Sequence, residues 1–183
     1  MSLAGCPIMA GLCERHGPVR LTSQPAFESL VDAIVSQQIS GRAAEAILSR
    51  LRERVSLQPV ALANADLRKL RGVGLSRAKA TYVREFARFA DRGGLDGIET
   101  LPDDEVKQRL ISVKGIGAWT AEMFLIFSLN RPDVWPVGDG GIQRAARRLY
   151  RIRSLGSLQK LGDRFRPFRT HAAWYLWRSL DEA

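Results

Sequence analysis

The stretch Leu110-Ile111-Ser112-Val113-Lys114-Gly115-Ile116-Gly117-Ala118-Trp119-Thr120-Ala121 decides how this 183-residue chain is read. Residues before Lys114 and after Gly117 carry helical patterning, so Gly115-Ile116-Gly117 must turn the chain between two helices within a few residues. Glycine permits such a turn because a positive φ costs it little. With no Cβ in the way, backbone N–H groups can approach an anion closely at the start of the second helix, where the helix dipole also favours negative charge. A phosphate diester fits that description. A plain helix corner with a glycine C-cap is the blander reading of a bare Gly-x-Gly, and the rest of the chain has to decide between them. Beyond Gly117 by 22 residues stands a lone carboxylate, in Pro136-Val137-Gly138-Asp139-Gly140-Gly141.

Charge and composition narrow the partners. The chain holds 28 basic against 19 acidic residues, a net charge of +9, and 23 of the basic residues are arginine. Arginine offers phosphate oxygens a planar fork where lysine offers a point charge, so a polyanion is a fitting partner. Arginine also spreads over solvated helix faces, and charge alone decides nothing. Nowhere do 18 apolar residues run together, and the first 20 residues lack a basic start followed by an apolar block. The expectation is a soluble, unexported, cytoplasmic protein with no membrane partner. Cys6 and Cys13 are the only cysteines and form no Cys-x-x-Cys or Cys/His cluster, so they read as reduced structural thiols rather than iron–sulfur or zinc ligands. His16 and His171 stand too far from other ligands to suggest a metal.

The length suits one compact domain or two small lobes sharing an interface. Helical spacing dominates and sustained strand alternation is absent. Pro25 opens a helix with the stripe Phe27, Leu30, Val31, Ile34 and Val35. Ser40 caps the next, in which Ala43, Ala44, Ile47, Leu48 and Leu51 face inward. Asn64 starts a short helix ending at Gly72-Val73-Gly74, and a long one follows with Ala78, Tyr82, Val83, Phe86 and Phe89. Gly93-Gly94 ends it, Leu95 to Leu101 reads as loop, and Pro102-Asp103-Asp104-Glu105 restarts a helix with acid in its first turn. Trp119 to Leu129 is almost wholly apolar and reads as the central core helix. Asn130 to Gly138 is loop, Ile142, Ala145, Ala146 and Leu149 mark a further helix, and a last one runs from about Thr170 to Leu180. Gly72-Val73-Gly74, with Ser76, Arg77 and Lys79 after it, is a weaker second candidate for a phosphate contact.

In this order the residues resemble the helix-hairpin-helix DNA glycosylase superfamily, and within it the alkyladenine (3-methyladenine type) glycosylases of bacteria and yeast. Val35-Ser36-Gln37-Gln38-Ile39-Ser40 looks like the family's Ser-Gln-Gln element, Val113 to Ala121 like its hairpin, and Pro136-Val137-Gly138-Asp139 like its catalytic loop. Phe165-Arg166-Pro167-Phe168-Arg169 with Ala173-Trp174-Tyr175-Leu176-Trp177 is similar to its carboxyl-terminal helix. The resemblance implies a single all-α glycosylase domain of two helical lobes, roughly 25–112 and the terminal segments with 113–183, with the active site in an interlobe cleft. It implies base flipping too: the target nucleotide turns about 180° out of the stack, at a cost of a few kcal/mol, to expose its glycosidic bond.

By the same resemblance Asp139 is the catalytic carboxylate, stabilising the oxocarbenium-like sugar or orienting the attacking water. Asp139 also suits helix N-capping, worth about 1 kcal/mol. Trp119, Met123 and Gly140 match base-pocket positions, and an electron-rich ring such as Trp119 attracts a cationic base by about 0.5–2 kcal/mol. Trp135, Trp174 and Trp177 read as packing residues. Lys114, Gly115, Gly117 and Thr120 are expected to contact the DNA backbone. Gln38, or failing it Ser40, fills the gap left by the flipped base. Hairpin carbonyls of Val113 and Gly115 are candidates to hold a structural monovalent cation; no catalytic metal and no organic cofactor is expected. Backbone-cutting members carry a Schiff-base lysine where this chain has Trp119, so the expectation is a monofunctional, monomeric enzyme acting on damaged double-stranded DNA. The alternatives are a non-catalytic DNA-binding hairpin module, or a glycosylase for oxidised, mismatched or deaminated bases. Some larger relatives place aromatics where Met123 and Gly140 stand and carry an amino-terminal β-lobe not evident here.

Overall fold

A computed structural model describes residues 3–181. Among them it has eleven α-helices, two short 3-10 helices (Leu3–Gly5 and Ile98–Thr100) and no strand, which bears out the all-α reading. No helix among the described residues is long and apolar enough to cross a membrane. The chain divides into two compact units: a contiguous central unit, Ser23–Leu129, and a terminal unit made of the residues up to Thr22 together with those from Asn130 onward.

The central unit contains α2 (Ala26–Ser36), α3 (Gly41–Arg54), α4 (Pro59–Ala63), α5 (Leu67–Gly72), α6 (Arg77–Asp91), α7 (Asp103–Ile111) and α8 (Ala118–Phe127). The stripe on α2 is buried as its spacing predicts, with Leu30, Val31, Ile34 and Val35 inaccessible and Phe27 stacked on Phe86 of α6 at 5.2 Å between ring centroids. Helix α8 buries Thr120, Ala121 and every residue from Met123 to Ile126, as expected of a core helix. It packs on α2 and α7. The expected lobe boundary at 112/113 therefore moves: an apolar helix covered by α2 and α7 cannot leave the unit that buries it, and the division falls after Leu129.

Several local expectations shift. Ala43 and Ala78 are exposed, because only the opposite edge of each helix meets the core. Asn64 does not start a helix but follows α4 as its C-cap. Asp66 starts α5, its Oδ1 accepting the Arg68 N–H at 2.6 Å. Part of the Leu95–Leu101 loop winds into a 3-10 turn. Ser40 caps α3 as expected, accepting from the Ala43 N–H at 3.3 Å.

The terminal unit contains α1 (Pro7–His16), α9 (Gly140–Tyr150), α10 (Leu155–Asp163) and α11 (Arg169–Arg178). Its core gathers Met9, Leu12, Trp135, Ile142, Leu161 and Leu176 among others. Trp135 is a packing residue as read, its Nε1–H donating to the Leu158 carbonyl at 3.1 Å. Asp133 grips Arg169 with both carboxylate oxygens, at 2.8 and 3.0 Å, and so ties the loop before α9 to the start of α11. Cys6 and Cys13 are unbridged.

Candidate functional site

In the hairpin between α7 and α8, buried Val113 and Ile116 pin the turn to the core while Lys114 and Gly117 stay exposed. The two glycines do different work. Gly115 has φ +97, and a Cβ there would run into the Tyr82 ring, so both the turn and the close approach require glycine. Gly117 lies at φ −100 as the N-cap of α8, and a Cβ on it would meet nothing within 4 Å. Among the described residues no side chain caps α8. Its first turn, beside Lys114, is thus an N-terminus suited to an anion.

Gln37, at the end of α2, closes the back of this hairpin. Its Nε2 donates to the Gly115 carbonyl and to Thr120 Oγ1, each at 3.0 Å. Thr120 is 1 % exposed, its side chain on the inner face of α8's first turn and bonded to Gln37, so only its backbone N–H is left to meet DNA. Each of the two hairpin carbonyls read as cation ligands accepts one hydrogen bond, which leaves it a second lone pair. That of Gly115 is turned onto the Gln37 amide, and that of Val113 accepts the Ile116 N–H at 3.0 Å.

Lys79 completes the network. Its ammonium donates to the Val35 and Gln37 carbonyls at 2.7 and 2.6 Å, and burial pulls its pKa below the usual lysine value. Lys79 is therefore bonded chiefly to the backbone it supports, and Ser76 caps α6. The Gly72-Val73-Gly74 corner is held from inside, Arg50 Nε donating to the Val73 carbonyl at 2.7 Å. Held by Lys79 and Gln37, the chain then turns outward through Gln38, exposed and left-handed at φ 57, to exposed Ile39 and Ser40.

Asp139 sits at the N-cap of α9, its Oδ1 accepting the Ile142 N–H at 2.8 Å. The same oxygen accepts the indole N–H of Trp177, also at 2.8 Å. Trp177 is thus more than packing. A Cβ on Gly141 would come within 2.9 Å of Asp139 Oδ1 and 3.0 Å of Trp177 Cδ1, so the absence of a side chain there lets the two meet. Gly140 is exposed at the first turn of α9.

Within the central unit a cavity of about 320 Å³ is lined by Gln24, Ser29, Asp32, Ala33, Ser36, Trp119, Met123 and Phe127. Two of the three expected base-pocket residues, Trp119 and Met123, share it; Gly140 belongs to the other unit. Asp32 and Trp177 escaped the sequence reading. Trp177 is 38 residues from Asp139, so no local pattern signals it. A polar residue interrupting the apolar α2 face was the signal available for Asp32.

Known proteins resemble this chain in both sequence and fold. The family described as HhH-GPD superfamily base excision DNA repair protein matches residues 31–165. The chain is 36 % identical over 163 residues to DNA-3-methyladenine glycosylase 1 of Schizosaccharomyces pombe, covering 84 % of this chain and 72 % of that one. A structure of S. pombe 3-methyladenine DNA glycosylase in complex with abasic DNA superimposes with a TM-score of 0.88 at 33 % identity, covering 96 % of this chain and 92 % of that one. A DNA-3-methyladenine glycosidase from Bacillus halodurans gives a TM-score of 0.81 at 37 % identity, covering 97 % and 86 %.

Proposed function

Because the chain belongs to the HhH-GPD superfamily of base excision DNA repair proteins, we propose that it is a monofunctional DNA glycosylase: it flips alkylated purines of the 3-methyladenine type out of duplex DNA and hydrolyses the N-glycosidic bond, leaving an abasic site. The observation that carries this reading is Asp139, a carboxylate fixed by two N–H donors on one oxygen at the start of α9.

The chemistry follows from what that carboxylate does. As the bond between C1′ and the purine nitrogen breaks, its electron pair leaves with the base and positive charge grows on the sugar. A negative side chain held in place lowers the energy of that charge, and water then adds to C1′. An alkylated purine is already cationic and departs as a neutral base, so little proton donation is needed. Trp119 stands where a lysine would form a Schiff base, so the reaction ends at hydrolysis. The hairpin's Lys114 and the bare first turn of α8 take the phosphate backbone, and the exposed Gln38 corner fills the gap in the stack.

Asp139→Asn tests the proposal. Asparagine keeps an oxygen for both N–H donors, so the fold and the cap survive while the charge goes. Excision of 3-methyladenine from methylated DNA should fall by about 100-fold or more with duplex binding intact. Unchanged excision would refute the assigned chemistry. Tight binding with no excision by the unaltered protein would favour the non-catalytic hairpin module.

A further inference from the structure

Asp32 is the one charged side chain lining the 320 Å³ cavity among the described residues. The rest of the lining is apolar, aromatic or neutral: Trp119, Met123 and Phe127 supply the walls, and Gln24, Ser29 and Ser36 the remaining polar groups. In a chain of net charge +9 this is an unexpected place for a lone acid. Among the described residues Asp32 makes no ion pair. Its carboxylate accepts the Ser36 hydroxyl at 2.9 Å, one turn further along α2, which orients it without neutralising it. A carboxylate beside aromatic walls, with no cation among the lining residues, is built for a flat ligand that brings its own positive charge.

Resting on the glycosylase reading above, we infer that Asp32 is a specificity-determining residue, selecting the cationic form of the purine, ring-alkylated at nitrogen, over its uncharged parent. The charge argument fixes where the effect appears. A cationic base carries its full charge when it enters the cavity and loses that charge to the sugar as the bond breaks. Asp32 therefore stabilises the flipped, intact nucleotide more than the transition state. It sharpens capture rather than the chemical step, the opposite division from the one expected of Asp139.

The test uses duplexes that cannot be cleaved, so that capture is read alone. A 2′-fluoro sugar resists forming the cationic intermediate. The whole protein is titrated with duplexes carrying 2′-fluoro-7-methylguanosine, 2′-fluoroguanosine or an abasic site. The unaltered protein should prefer the methylated duplex to the guanosine duplex, and Asp32→Asn, which keeps size and the Ser36 hydrogen bond, should lose about tenfold of that preference. Its affinity for the abasic duplex should stay within about twofold. No preference in the unaltered protein, an unchanged preference in the variant, or an equal loss on all three duplexes each overturns the assignment. The enzyme reading fails separately: it falls if the unaltered protein releases neither 3-methyladenine nor 7-methylguanine from ordinary methylated duplex DNA, whatever the binding preference.

Discussion

Trp177 Nε1 and the Ile142 amide donate to one and the same oxygen of Asp139, each at 2.8 Å. One donor comes from the helix that Asp139 caps and the other from α11, so two elements of the terminal unit orient a single carboxylate. Hydrogen bonds to a charged group contribute about 1.5–3 kcal/mol each, more than a neutral pair.

Trp177→Phe removes the indole donor and keeps most of the ring. Single-turnover excision should slow by about tenfold to a hundredfold, with affinity for abasic duplex little changed. An unaltered rate would show that the Ile142 amide alone suffices. Gly141→Ala, whose Cβ would crowd Asp139 and Trp177 at 2.9 and 3.0 Å, should reproduce the slowing from the other side.

The hairpin glycines should separate cleanly. Gly115→Ala forces a Cβ into the Tyr82 ring at φ +97 and should cost about 2 kcal/mol or more of unfolding free energy in urea. Gly117→Ala, with φ −100 and open space, should leave the urea midpoint nearly unmoved but weaken duplex binding and lower the slope of log affinity against log salt by about 1. Unmoved affinity and slope would take Gly117 out of the interface.

Lys79→Met should weaken duplex binding through the loosened Gln38 corner while leaving the salt slope intact, because its ammonium faces the Val35 and Gln37 carbonyls. A slope reduced by about 1 would instead mean that this ammonium reaches phosphate.

Tyr175 titrates against folding. Burial, together with Cys13 beside it, pushes its hydroxyl up to about 12 from the ordinary 10, and the hydroxyl donates to the Gly17 carbonyl at 2.8 Å. The folded state then holds a proton that the unfolded chain releases above pH 10, so this contribution is complete below pH 10 and declines as pH rises towards 12. Tyr175→Phe should be less stable by about 1 kcal/mol at pH 8, and its deficit should narrow between pH 10 and 12. A deficit constant across that window would contradict the shift.

Long amphipathic helices were legible in the chain because their burial repeats at short range: Leu30, Val31, Ile34 and Val35 on α2, and Ile142, Ala145 and Ala146 on α9, announce their own faces. Helices α1, α4 and α10 were not. Pro7–His16 buries only Met9 and Leu12, and α4 is five residues long, so neither carries a stripe that spacing can register. Asp139 was legible through its loop and its capping position. The inward turn of the Thr120 hydroxyl was not legible, because its partner Gln37 lies 83 residues away in the chain. The division at 129 rather than 112 has the same origin: α8 is apolar on nearly every side, and only its packing on α2 and α7 says to which unit it belongs.

The terminal unit is assembled from segments 107 residues apart, on either side of Ser23–Leu129. During synthesis α1 leaves the ribosome long before α9 and α11, so Met9 and Leu12 must wait, uncovered, while the contiguous helices between them condense around their own interior. The carboxylate at 139 and the indole at 177 that holds it follow later still, so this pair closes only after the hairpin's two helices have been made.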